Sequence, residues 1–151
     1  MREYAGIGLA APQIHESVRL FVAGLRPSKS VGALSDDDEM PFVALINPEI
    51  TPVVAPGATE PAMATDWEGC LSIPDIRGLV PRPQAITVRA FDRRGKRIEL
   101  SASGLPARVI QHETDHLHGV LFFDRMKSFE SLTFLDEYSR FWRKQDDDGD
   151  E

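Results

Sequence analysis

The stretch Gln111-His112-Glu113-Thr114-Asp115-His116 leaves this chain the fewest choices. Histidines four apart share one face of an α-helix, where both can turn a ring nitrogen to one ion. Glu113 projects about 100° round the helix from His112, within reach of a water on that ion, so its part is that of proton acceptor rather than ligand. A lone histidine on such a helix is more often a satisfied core residue. Two at this spacing with a glutamate between them turn the balance toward a metal site. The flanks predict the same helix independently of the motif. Pro106 suits a first turn and Gly119 a C-terminal cap. Val109, Ile110, Leu117, Val120 and Leu121 recur at helical spacings and bury one side. The helix is predicted over roughly Pro106 to His118.

A catalytic metal usually takes three protein ligands and keeps one position open, so the third ligand decides the chemistry. A histidine three residues after Gly119 would complete one known pattern, but Phe122 stands there. A glutamate from a following helix would complete another, with Glu130 and Glu137 as candidates. The remaining choice is Cys70, the only cysteine, in Trp67-Glu68-Gly69-Cys70-Leu71-Ser72-Ile73-Pro74. A single cysteine is more often a small buried hydrophobe. Here Gly69 allows a close backbone approach, and Ser72 and Pro74 predict a turn beside an extended segment. A Cys/His/His site would bind the cysteine as thiolate.

Three stretches together resemble the peptide deformylase family: Gly6-Ile7-Gly8-Leu9-Ala10-Ala11-Pro12-Gln13, Glu68-Gly69-Cys70-Leu71-Ser72, and Gln111 to Gly119. The resemblance runs from Gly6 to about Phe123. It implies an α+β fold of short, mostly antiparallel strands around a central metal-binding helix. It implies metal-dependent removal of the N-formyl group from the initiator methionine of nascent peptides, with formate released. Cys70, His112 and His116 would be the ligands and Glu113 the base. The Gln13 side-chain amide and the Leu71 backbone N–H would hold the oxyanion. Gly8, Gly69 and Arg77 would meet the extended peptide, while Ile7, Leu105 and Val109 would line the methionine pocket. Arg108 stands where many members carry an apolar residue, which bears on the shape of that pocket. Cys/His/His suits Zn²⁺ on general grounds; the resemblance implies Fe²⁺ as the native ion, with Zn²⁺, Ni²⁺ or Co²⁺ able to replace it. The family carries a helix and further structure ahead of the Gly6 motif. This predicts either a start lying upstream or a shortened, inactive relative. An H-E-x-x-H zinc peptidase is the other alternative.

The net charge of -7 would suggest a basic partner if it were spread over the chain. Asp36 to Glu39 hold four acids and Asp146 to Glu151 five more; without them 15 acids face 17 bases. The acidity belongs to a loop over 26–40 and a tail over 145–151, where runs of like charge predict solvated segments. The 151 residues suit a single catalytic domain over 1–144. One cysteine excludes an internal disulfide, as in a reducing compartment. No run of about 18 apolar residues or secretory signal is present. A cytoplasmic monomer is expected, off the membrane, meeting the nascent chain and, transiently, the ribosome.

Elsewhere the alternation predicts strands at Val18 to Ala23 and Phe42 to Asn47, the second ended by Asn47-Pro48, with an edge strand over Ile50 to Val54. Arg77 to Pro83 is predicted extended. Gln84 to Phe91 and Lys96 to Leu100 would form a hairpin about the turn Asp92-Arg93-Arg94-Gly95. Its basic tip lacks interleaved aromatics, so no direct nucleic-acid site is predicted. Ser128 or Ser131 would cap a second amphipathic helix carrying Leu132, Phe134, Leu135, Tyr138, Phe141 and Trp142 to about Lys144.

Overall fold

The computed structural model describes residues 7–25 and 40–142. The lead-in over 1–5, the acidic loop short of Met40 and the tail over 145–151 lie outside the described residues. In chain order the elements are β1 (Gly8–Ala10), a 3-10 turn (Ala11–Ile14), β2 (Leu20–Leu25), β3 (Met40–Pro52), β4 (Met63–Cys70), β5 (Ile73–Pro83), β6 (Ala85–Phe91) and β7 (Arg97–Ser103). Then follow α1 (Gly104–Leu117), α2 (Phe122–Arg125), β8 (Thr133–Phe134) and α3 (Leu135–Phe141). The chain divides into two compact units, Met1–Ala64 with Arg82–Val120 and Thr65–Pro81 with Leu121–Glu151.

The first unit is a five-stranded sheet in the order β1-β2-β3-β6-β7, every neighbouring pair antiparallel. Alternation decides which face is covered. Ile86, Val88 and Ala90 of β6 point inward at every second position and meet Phe21 and Leu45 from the sheet and Ala107 and Ile110 from α1. Each large side chain buried this way contributes roughly 1.5–3 kcal/mol, so α1 is held as the second layer of a sheet-and-helix core.

Three expectations about this sheet change. The strand expected at Val18 begins at Leu20, after a bend. The second strand does not end at Asn47-Pro48 but runs on to Pro52. Three steps along β3, from Ile46 to Glu49, answer two along β6, from Phe91 to Arg89, so one extra residue is bulged out. Asn47 takes the left-handed conformation at φ 50°, which asparagine tolerates better than most residues. Proline has no N–H to pair, and Pro48 sits at the bulge with its ring buried. The segment expected as a separate edge strand is the end of β3. Ile50, Thr51 and Pro52 pair with β6, after pairing with β2 has stopped at Ile46. The hairpin of β6 and β7 forms as expected. The Asp92 carboxylate accepts the backbone N–H groups of Arg94 and Lys96 at 2.8 and 2.9 Å.

In the second unit β4 passes to β5 through a two-residue turn at Leu71 and Ser72, and β8 pairs antiparallel with β5. Cys70, Val80 and Phe122 form its core, with Ile73, Ile76, Phe123 and Met126 packed round them. The expected C-terminal helix is shorter and later than its sequence suggests. Ser131 does not cap it; its Oγ accepts the Leu79 N–H at 3.0 Å. Phe134 stands ahead of the helix, and no residue of α3 is buried. Trp67 gathers Tyr138 and Trp142, with ring centroids at 5.0 and 5.5 Å. No helix of the described residues is long and apolar enough to cross a membrane.

Candidate metal centre

The helix that carries the histidines starts at Gly104 rather than Pro106 and ends at Leu117, with His118 as its cap. Gly119, at φ 69°, closes it. The Gly119 N–H donates to the His116 carbonyl and the Val120 N–H to the Asp115 carbonyl, a pairing that satisfies carbonyls otherwise orphaned at a helix end. His112 and His116 therefore stand one turn apart on a terminated, buried helix, ring centroids 4.9 Å apart and nearly perpendicular. His116 is buried and His112 half-buried.

Glu113 is 4% exposed. Its side chain lies against Gly8 of β1, where any Cβ would collide with the Glu113 carboxylate and its Cγ. The glycine expected to meet the peptide thus also makes room for the expected base. Gln13, on the 3-10 turn, accepts the Ala10 N–H on its Oε1 at 2.9 Å. This assigns the other end of the amide, the NH₂, as its donor. Ile7, Leu105 and Val109 gather in the core of the first unit. Arg108 is buried, its guanidinium donating to the Ala64 carbonyl at 2.9 Å.

Cys70 ends β4 and is 6% exposed. The Ser72 N–H, brought back by the tight turn, donates to its Sγ at 3.4 Å. Leu71, in the same turn, is exposed. At Gly69 a Cβ would collide with the Arg77 guanidinium, which donates to the Ile76 carbonyl at 2.9 Å.

Among the described residues, one group of His, Cys, Asp and Glu side chains could hold a metal ion: Cys70, His112 and His116, whose ligand atoms all lie within 4.8 Å of one another. Neither Glu130 nor Glu137 belongs to it. One sulfur and two imidazole nitrogens suit a borderline-soft divalent ion such as Zn²⁺ or Fe²⁺.

The polypeptide deformylase family matches residues 1–131. The chain belongs to this family. Deformylases are hydrolases, and the chain is 42% identical over 131 residues to peptide deformylase 1 of Nitrosomonas europaea, a span of 87% of this chain and 69% of that relative. To the peptide deformylase of Opitutus terrae it is 50% identical over 133 residues, covering 84% and 67%. Among solved deformylases, the Met-Ala-Ser-bound class I type b enzyme of Acinetobacter baumannii superposes with a TM-score of 0.71 at 38% identity, over 83% of this chain and 74% of that one. The α+β architecture of mostly antiparallel strands expected from the deformylase resemblance is the one observed.

What sequence reasoning missed is the polar side of the deformylase helix. Arg82 and Asp115 form a buried ion pair at 2.9 Å, their side chains 4% and 9% exposed. The Gln111 amide donates to the carbonyls of Pro83 and Ala107 at 2.9 and 3.1 Å. A signal for the pair was present. Gly78, Val80 and Arg82 alternate along β5 on its buried face, and an arginine in such a row requires a buried acid.

Proposed function

We propose that this chain hydrolyses the formamide of N-formylmethionyl peptides and releases formate, with residues 1–144 acting as one catalytic domain. The observation that carries the reading is the Cys70, His112 and His116 donor set on a helix whose next side chain is the buried Glu113. Bound by those three residues, Fe²⁺, or Zn²⁺, Ni²⁺ or Co²⁺ in its place, supplies Lewis acidity and lowers the pKa of a water. Glu113 takes a proton from the attacking water and hands it to the leaving amine. The Gln13 NH₂ and the Leu71 N–H donate to the oxyanion as it develops, which lowers the barrier more than it tightens the ground state. The fixed Oε1 of Gln13 supports this role, because its amide is oriented before substrate arrives. Gly8, Gly69 and Arg77 meet the extended peptide, and Ile7, Leu105 and Val109 form the methionine pocket. The enzyme works as a monomer in the cytoplasm on nascent chains at the ribosome.

The test is formate release from formyl-Met-Ala-Ser by anaerobically purified protein with Fe²⁺. Replacing Glu113 with Ala is expected to lower turnover by about 10²–10⁴-fold with metal content unchanged. Absence of turnover in metal-loaded parent protein, or equal turnover in the variant, would overturn the reading.

A further inference from the structure

Metal ligands must sit within about 0.2 Å of their ideal distances, which sets how still α1 has to be. A ring nitrogen stands about 5–6 Å from the helix axis, so a rotation of about 10° moves it by about 1 Å. To stay within 0.2 Å the helix must be held to about 2°. Apolar packing of the inner face with Ala107, Val109 and Ile110 gives burial and close contact but no directional bond. Directional bonds are needed, and they occur on the residues that immediately precede the two histidines.

Gln111 precedes His112 and Asp115 precedes His116, so these two polar residues repeat at the spacing of the ligands, on a strip turned by about 100°. Both reach the end of one strand. The Gln111 amide donates to the Pro83 carbonyl at 2.9 Å, and Asp115 accepts from the Arg82 guanidinium at 2.9 Å. Neighbouring residues of β5 thus hold successive turns of α1. One such bond would leave the helix free to pivot; two, a turn apart, oppose both rotation and sliding. The Arg82–Asp115 member is the stiffer, because a charge-assisted bond with both side chains more than nine-tenths buried is short, strong and hidden from solvent.

We propose that Arg82 and Asp115, assisted by Gln111, are positioning residues that set the rotation of α1 and thereby the affinity and geometry with which His112 and His116 take a metal ion. The inference rests on the metal-dependent reading but not on the deformylation step, and its readout is chosen accordingly. Demetallated protein is titrated with Co²⁺, following the thiolate-to-metal and ligand-field absorption bands, while the stability of the metal-free protein is measured separately. Asp115→Asn is expected to raise the Co²⁺ dissociation constant about 10–100-fold and to shift the ligand-field bands, at temperatures where the metal-free variant is fully folded. Should that variant fail to fold, the double variant Arg82→Met with Asp115→Met removes both charges of the pair together; it is expected to fold and show the same loss. Gln111→Met is expected to weaken binding in the same direction by a smaller factor. A purely structural role would lower the stability of the metal-free protein while leaving the Co²⁺ constant and bands unchanged; that result overturns the proposal, as does a parent that binds no Co²⁺. A parent that binds Co²⁺ with these variant effects yet releases no formate leaves the positioning role standing and sinks the deformylase reading alone.

Discussion

Both α1 and α3 carry apolar residues at helical spacing, yet they end in opposite circumstances. From Pro106 to His116, α1 buries every residue but His112, and its polar side chains are hydrogen-bonded: Thr114 to the helix's own Ile110 carbonyl at 2.7 Å, Arg108 to Ala64, Asp115 to Arg82. In α3 nothing is buried, and Phe141 is 59% exposed. An apolar stripe therefore states that a helix can be covered, not that it is. The two differ in what surrounds them: α1 lies over a five-stranded sheet that offers a continuous apolar face, whereas the sheet of the second unit has three strands, one of them only two residues long.

Truncating one apolar side chain in each helix tests this difference most directly. Ile110→Ala removes a residue 1% exposed and is expected to cost roughly 2–5 kcal/mol in urea denaturation. Phe141→Ala removes a larger side chain and is expected to change stability by no more than about 0.5 kcal/mol. Equal losses would mean that α3 is as deeply committed to the fold as α1, contrary to its exposure.

The same contrast explains what was legible beforehand. The helix bearing His112 and His116 could be read because its evidence is local: ligand spacing, an apolar period and the closing Gly119 all fall within one short stretch. The hairpin tip was legible for the same reason, with Asp92 and Gly95 setting the turn. The C-terminal helix was overextended because its true start is set by a distant partner. Ser131 is occupied by the Leu79 N–H, and Thr133 and Phe134 are drawn into pairing with Arg77 and Ile76. At Asn47-Pro48 a local rule pointed the wrong way, since a proline that stops an isolated strand is accommodated by a bulge when a neighbour is present. Of the candidate site, the motifs pointed to Cys70, His112 and His116, the group of described side chains that could hold a metal ion. The Arg82–Asp115 pair was not legible, because it joins residues 33 apart.

A second prediction concerns Glu113, the proposed base. Gly8→Ala would drive a Cβ into the Glu113 side chain, and because Glu113 is buried in a packed helix it has little room to retreat. Overpacking of this kind costs about 1–3 kcal/mol, less than Ile110→Ala at its upper range. If Glu113 is the proton acceptor proposed above, a displacement of about 1 Å is expected to lower formate release about 10²-fold. Measured side by side, activity should fall further than stability accounts for. Parent-like turnover in Gly8→Ala would show that the base tolerates movement, so that α1 needs less precision than its buried bonds imply.

The smallest effect is expected where a polar side chain is bonded but exposed, at the hairpin tip. Backbone N–H donation, first from Lys96 and then from Arg94, lowers the Asp92 pKa although the carboxyl is wholly exposed. The sign follows from linkage. A carboxyl with a depressed folded pKa contributes stability that is fully present above its unfolded value of about 3.9 and is lost as pH falls through the folded pKa. The stability difference between the parent and Asp92→Ala should therefore be constant near neutral pH and shrink below about pH 3.9. The deficit of Ile110→Ala, which involves no titrating group, should show no such trend. NMR titration of the Asp92 carboxyl carbon checks the direction independently. A midpoint at or above the ordinary carboxylate value would mean that these N–H bonds hold the turn without favouring the charged form, and the distinction between exposed and buried polar bonds would then have to rest on α1 alone.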